Sequence, residues 1–335
     1  MEADSVNKRV RLIYPDMAKG IGMILIVLGH NHPPQLFEEW LSTFHVPLFF
    51  IISGFFIKNI DPKTTFLKGW KQLLYPMLIT GVICSLGLIV LFSKDGEYKG
   101  PEWMYYIKTT CLVNQFGYLG MWFLGALFTG KLVLSLIMQW TKNYLLFWAL
   151  LIYIVVWLTP FDMRSQVPLY FIQNGCMSVV YLAIGYIARG KLLAEWKYNK
   201  ELLLLCVIIV LLAHNPISFV KCIMPDGIFN ILISASVSLA VICLCKWLVN
   251  MQRQSFRILC LVFAWYGRYS LAILSGHALL HACIMPKVQL PLPSIVLGIT
   301  EVLVLGLFPF ALSIIPKIRD IYFVNRTPLK NFKYS

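Results

Sequence analysis

The chain reads as an all-α, polytopic membrane protein of about ten transmembrane helices, and three observations predict this. First, 59% of its 335 residues are hydrophobic and only 13% are charged, against about 25% charged in ordinary soluble domains. Second, mean hydropathy is +0.74, and apolar runs long enough to cross a bilayer recur along the whole length. Third, the basic residues fall between those runs in alternating abundance, the pattern that sets membrane orientation.

In order, the predicted spans are 14–30, 41–57, 72–93, 119–140, 143–160, 167–188, 201–214, 227–249, 268–285 and 294–315. A polar turn, Asn31 to Glu39, separates the first two. Lys and Arg assign the sides. The N-terminal segment, alternate loops and the C-terminal tail together carry 22 basic residues, from Lys8, Arg9, Arg11 and Lys19 to Lys330 and Lys333. The opposite loops carry six, namely Lys94, Lys99, Lys108, Arg164, Lys221 and Lys287. The excess predicts that both termini are cytoplasmic, which requires an even number of spans. The longest outer loop, 94–118, mixes charge with Trp103, Tyr105 and Tyr106, and reads either as a lid or as an interfacial segment. The stretch Arg253 to Tyr266 is basic, then apolar, as in a helix lying on the inner surface. No internal repeat or appended soluble domain is evident, so residues 1–335 are read as a single membrane domain.

Charge excludes some partners. The net charge is +14, but it is spread between spans and not along one face, which argues for anionic lipid or an anionic cofactor and against nucleic acid. Nine scattered cysteines without a CxxC pair read as buried thiols, neither a disulfide framework nor a metal site. No cleavable signal peptide is expected, because Asp16 and Lys19 interrupt the start of the first apolar run.

The first span carries the sharpest pattern. In Asp16-Met-Ala-Lys19-Gly-Ile-Gly-Met-Ile-Leu-Ile-Val-Leu-Gly-His30, ionisable residues stand at both ends with none between. On a helix, Lys19 and His30 fall within about 20° of one face and roughly 16 Å apart along the axis. Asp16 lies one turn before Lys19, where carboxylate and ammonium can meet. Ionisable residues inside a span mark function by default; the plainer reading has Lys19 snorkelling to the headgroups and His30 as the wet end of the helix. The second span opens Phe44-His45-Val-Pro-Leu-Phe-Phe-Ile-Ile-Ser53-Gly54-Phe.

Together these two elements resemble the acyltransferase-3 family, bacterial integral-membrane acyltransferases of which many O-acetylate cell-surface glycans. Lys19 stands where many relatives have Arg. Three further stretches extend the resemblance: Met121-Trp122-Phe123-Leu124, Tyr181-Leu-Ala-Ile-Gly185-Tyr186, and Gly267-Arg268-Tyr-Ser270-Leu-Ala-Ile-Leu-Ser-Gly-His277. Leu274 departs from the Tyr common in relatives. The resemblance implies a membrane-bound acyltransferase of the bacterial inner membrane. Such an enzyme moves an acetyl group from cytosolic acetyl-CoA to a hydroxyl of a cell-surface glycan or its lipid-linked precursor.

The residues are consistent with that chemistry. Acyl transfer from a thioester to a hydroxyl needs a base for the hydroxyl proton and donors for the oxyanion. On the topology above, His30 and His45 lie at the outer ends of their spans, with His277 mid-span and Glu301 two turns into the tenth span. These four are the candidate catalytic residues, His30 first; His277 and Glu301 also read as a buried pair that fixes helix packing. His32 and His214, which belong to no motif, read as solvent-facing or interfacial. Lys19, Lys131 and Arg268 are candidate donor-binding residues, since phosphates are recognised by charge-assisted bonds; Asp16 joins them either by orienting Lys19 or by holding the helix entrance. Ser53 and Gly54 suit packing or oxyanion contact. No metal is expected. Ten spans with interior ionisable groups also describe a transporter or flippase for a sugar or lipid-linked substrate, although such proteins commonly carry repeats.

Overall fold

The computed structural model describes residues 12–57, 61–92, 121–159, 171–193, 200–219, 222–251, 254–281, 293–314 and 322. The expectations for both termini and for the 94–118 loop lie outside these residues. Among the described residues the chain is all-helical, with one isolated antiparallel bridge, Ser218 to Ile223. The helices are α1 (Ile13–Gly29), α2 (Gln35–Ser42), α3 (His45–Phe55), α4 (Pro62–Gly69), α5 (Tyr75–Phe92), α6 (Trp122–Trp140) and α7 (Leu145–Leu158). They continue as α8 (Phe171–Leu193), α9 (Lys200–Leu212), α10 (Ile228–Asn250), α11 (Gln254–Arg268), α12 (Ser270–Leu279) and α13 (Ser294–Ser313).

Four of these, α6, α8, α10 and α13, are long and apolar enough to cross a membrane, and α11 with α12 makes a fifth if that bent pair is one span. The other predicted spans coincide with shorter helices. The second is α3, 11 residues long, and the turn expected before it contains α2. The third is approached through α4 and a five-residue π-helical segment, Trp70–Leu74. The stretch read as a surface helix is α11, which joins the ninth span at a 66° bend and packs along α1.

That packing follows from glycine. A Cβ at Gly20 would overlap the Phe263 carbonyl, and one at Gly267 would overlap the Asp16 carbonyl. The α1 and α11 backbones therefore touch where each carries no side chain, as small residues permit between membrane helices. A second crossing joins α3 to α8, where Gly54 meets Leu182 O and Gly185 meets Ile51 O. The small-residue stretch around Gly185 is thus a packing element, and it seats α3 at the centre of the bundle. Along α3, Pro47 to Ile52 are all buried.

α13 shows how the bundle meets lipid. Ile295, Val296, Ile299, Leu303, Val304, Leu307 and Phe310 are exposed, while Gly298, Glu301, Leu305, Gly306 and Pro309 form the buried stripe. A carboxylate on the lipid face would be prohibitive. Its place on the inward stripe is what lets Glu301 exist in this helix.

Candidate active site

A cavity of about 870 Å³ lies within the bundle, and its lining is helical in period. α1 contributes Lys19, Met23, Ile26 and His30, α3 contributes His45, Phe49 and Ser53, α6 contributes Phe123, Leu127 and Lys131, and α12 contributes Ser270, Leu274 and His277. Each set recurs at three or four residues, so each helix turns one face to the same space. The Lys19 and His30 ends of α1 do share a face, and that face is a cavity wall. Trp122 and Leu124 of α6 line it as well.

The cavity is chemically polarised. At one end lie Lys19 and Lys131, close enough for their charges to interact, with Lys19 Nζ 4.8 Å from the Phe56 ring centre. Two ammonium groups facing one apolar-walled space repel, and an anion between them relieves that repulsion. At the other end the His30 ring meets His277 edge to face, centroids 4.8 Å apart. Beyond it α2 places Gln35, Glu38, Glu39 and Ser42 at the rim.

The imidazoles are oriented by what their Nδ1 atoms face. His30 Nδ1 lies 2.8 Å from Ile26 O and His45 Nδ1 2.6 Å from Leu41 O. A carbonyl can only accept, so each Nδ1 carries the proton and each Nε2 is left with a lone pair. His277 Nδ1 lies 2.6 Å from Glu301 Oε1, the histidine–carboxylate geometry that fixes a base in one tautomer. Two further groups reach the same carboxylate. His281 Nε2 is 3.1 Å from Oε2, and Asn31 Nδ2 donates to Oε2 at 2.7 Å.

His277, His281 and Glu301 bring their ligand-type atoms within 4.8 Å of one another. The 2.6 Å approach of His277 Nδ1 to the carboxylate is a hydrogen bond; two ligands sharing one ion at ordinary bond lengths stand about 3.3 Å apart. The cluster is therefore read as a hydrogen-bonded network.

The rim is pinned from the neighbouring helices. Trp40 Nε1 donates to Val210 O at 2.6 Å, Asn215 N donates to Thr43 Oγ1 at 3.0 Å, and Glu39 Oε2 lies 2.7 Å from His214 Nε2. Hydrogen bonds from Gln35 and His214 hold the Glu39 carboxyl below the usual carboxylate range. His214 is thus a contact residue of α2, whereas His32 is exposed in the turn after α1, in a left-handed conformation at φ 49°. Behind the rim, Asn230 Nδ2 donates to Asn215 Oδ1 at 2.6 Å. This seats the 216–219 segment, whose Pro216, Ile217, Ser218 and Phe219 close the wall.

Of the residues singled out from sequence, His30, His45, His277, Lys19, Lys131 and Ser53 line one cavity, with Glu301 bonded directly behind His277. Asp16 and Arg268 are not in the lining. Both are buried, at the α1–α11 crossing and beneath it, and the Arg268 guanidinium lies 5.8 Å from the Tyr269 ring centre. Gly54 packs and does not face the cavity. Sequence reasoning missed His281 and Asn31. His281 had a signal, since it follows His277 by one helical turn. Asn31 had none, being one residue past the end of a span. Tyr322 also reaches the cavity, its hydroxyl 2.7 Å from Thr80 Oγ1, and nothing local in the sequence announced it.

In comparison with known proteins, the family model described as an acyltransferase domain, Acyl_transf_3, matches residues 12–317. No curated protein and no solved structure matches the chain.

Proposed function

The chain belongs to the acyltransferase-3 family, and from that premise we propose that it moves an acetyl group from cytosolic acetyl-CoA to a hydroxyl of a cell-surface glycan or its lipid-linked precursor. The observation that carries this reading is the polarised cavity, with two lysines at one end and lone-pair imidazoles at the other. The enzyme is an acyltransferase and a membrane protein. The finer reading places it in the bacterial inner membrane with ten spans and both termini cytoplasmic.

In this reading the CoA phosphates rest on Lys19 and Lys131 by charge-assisted bonds. The pantetheine arm follows the Met23–Ile26 wall of α1, and the thioester reaches His30, roughly 16 Å away along the helix. His30 Nε2 takes the proton of the acceptor hydroxyl as its oxygen attacks the thioester carbonyl. The tetrahedral intermediate then collapses, the C–S bond breaks, and the thiolate leaves and recovers the proton as CoA thiol. The other product is the acetyl ester. His45 supports the acceptor side, and Glu301 holds the His277 ring next to His30. Asp16 and Arg268 act on the donor end by holding the α1–α11 crossing that carries Lys19.

The test uses purified full-length protein in lipid nanodiscs. Acetyl-CoA should raise its thermal stability, and sugars alone should not. Mass spectrometry of surface glycans from cells with and without the gene should show one acetyl ester lost with the gene. Stabilisation by sugars but not by acetyl-CoA, with surface glycans unchanged, would favour a transporter and overturn the proposal.

A further inference from the structure

The Glu301 carboxylate has a coordination that the acyl-transfer reading uses only in part. Oε1 faces one donor, His277 Nδ1 at 2.6 Å, while Oε2 faces two, Asn31 Nδ2 at 2.7 Å and His281 Nε2 at 3.1 Å. The Asn31 amide is itself fixed, because Nδ2 also donates to Val27 O at 2.9 Å. Both of its partners are oxygens that only accept, so the NH₂ must point to them. The consequence is a buried Oδ1 with no hydrogen-bond partner among the described residues. An apolar side chain here would leave no orphaned carbonyl, and a buried unpaired acceptor is unfavourable. Asn31 is therefore held for what its NH₂ does. It is also the residue after His30, so it ties the catalytic end of α1 to the carboxylate of α13.

We infer that Asn31 and His281 are positioning residues that clamp Glu301 in one rotamer, so that His277 keeps its proton on Nδ1 and stands as a second unprotonated-Nε2 imidazole beside His30. The inference rests on the acyl-transfer reading for its catalytic meaning, but the clamp itself is a property of the cluster. Each N–H that reaches the carboxylate disperses its charge. With a donor removed, Glu301 attracts a proton on His277 more strongly, and the imidazolium is favoured. The charged and titratable groups facing His277 are Glu301 from α13, His281 from the turn that follows α12 and His30 from the C-terminal end of α1, with His45 of α3 acting on His30. From α5, Thr80 reaches Ser275 at 3.1 Å and brings no charge.

The experiment measures kcat, acetyl-CoA KM and the pH–rate profile for Asn31→Ala, His281→Ala, His281→Gln and Glu301→Gln in the full-length protein. Asn31→Ala and His281→Ala should each lower kcat about tenfold at unchanged KM and move the acid limb to higher pH. Glu301→Gln removes the charge and should move that limb to lower pH. His281→Gln returns an amide donor and should recover most of the kcat. Wild-type kcat and profile in both alanine variants would overturn the clamp. A second readout needs no acyl transfer: carbethoxylation of His277 by diethyl pyrocarbonate, followed against pH by peptide mass spectrometry. If Asn31→Ala raises the His277 midpoint while the wild type transfers no acetyl group, the clamp stands and the acyl-transfer reading falls. If the midpoint is the same in wild type, Asn31→Ala and His281→Ala, the clamp falls whatever the enzyme does.

Discussion

At the scale of single residues, the tautomer set by a backbone carbonyl gives His30 its role. With Nδ1 bonded to Ile26 O, only Nε2 is free to accept a proton. His30→Ala should therefore lower the transfer rate by about 10²- to 10⁴-fold while acetyl-CoA binding, followed by thermal shift, stays near wild type. A near-wild-type rate would move the base to His45 or His277. The wild-type rate should also fall as pH drops through the imidazole range, because a protonated base cannot accept. Lys19 is argued from the other end of the same helix face. Lys19→Ala should raise the acetyl-CoA KM with little change in kcat, and Lys19→Arg should restore much of it because the charge persists. If Lys19→Arg were as inactive as Lys19→Ala with CoA still bound normally, the phosphate role would be wrong.

At the scale of elements, the cavity exists because helices approach where side chains are missing. A methyl group at Gly20 must separate α1 from the Phe263 backbone, and overpacking of a tight contact typically costs about 1–3 kcal/mol. Gly20→Ala and Gly185→Ala should each lower the thermal midpoint in detergent, measured by fluorescence-detected size exclusion. Gly190→Ala, where a Cβ meets nothing within 4 Å, should leave it unchanged; equal effects at all three sites would deny the crossings their role. The rim helix α2 has a separate pH signature. Glu39 has a depressed folded-state pKa, so its contribution is present above the ordinary carboxylate pKa and lost only as pH falls through the lowered value. That window lies below the imidazole range. Glu39→Gln should therefore leave the acid limb of the rate profile in place, and a moved limb would show that the rim, not the imidazoles, sets it.

At the scale of the whole molecule, the proposal requires the lysine end of the cavity to face the cytoplasm, where acetyl-CoA is made. Reporter fusions or cysteine labelling should find both termini on that side. An external terminus would reverse the cavity and end the cytosolic-donor reading. The hydrogen-bonded reading of the His277–His281–Glu301 cluster has its own consequence: activity should survive dialysis against a chelator. Loss of activity restored by a divalent cation would replace that reading with a metal site.

Composition, periodicity and the placement of Lys and Arg were enough to make this chain a helical membrane protein. Those signals are local: each apolar run reports its own burial, whatever it packs against. The same is true of Lys19 and His30, whose spacing on one helix predicted a shared face that is now a cavity wall. What the sequence could not determine was which faces meet. The pairing of Glu301 with Asn31, 270 positions apart, depends on α13 turning its narrow buried stripe toward the end of α1. The α1–α11 crossing at Gly20 and Gly267 is equally tertiary, since only contact with another backbone gives a glycine pair its meaning. Arg268 carried the right charge for donor binding, and Asp16 the right spacing to meet Lys19, but both lie behind the wall, because burial at a crossing is decided by the partner helix and not by the residue. The chemistry of each side chain was legible in the chain; its neighbours were set by tertiary packing, the one interaction that has no local signature.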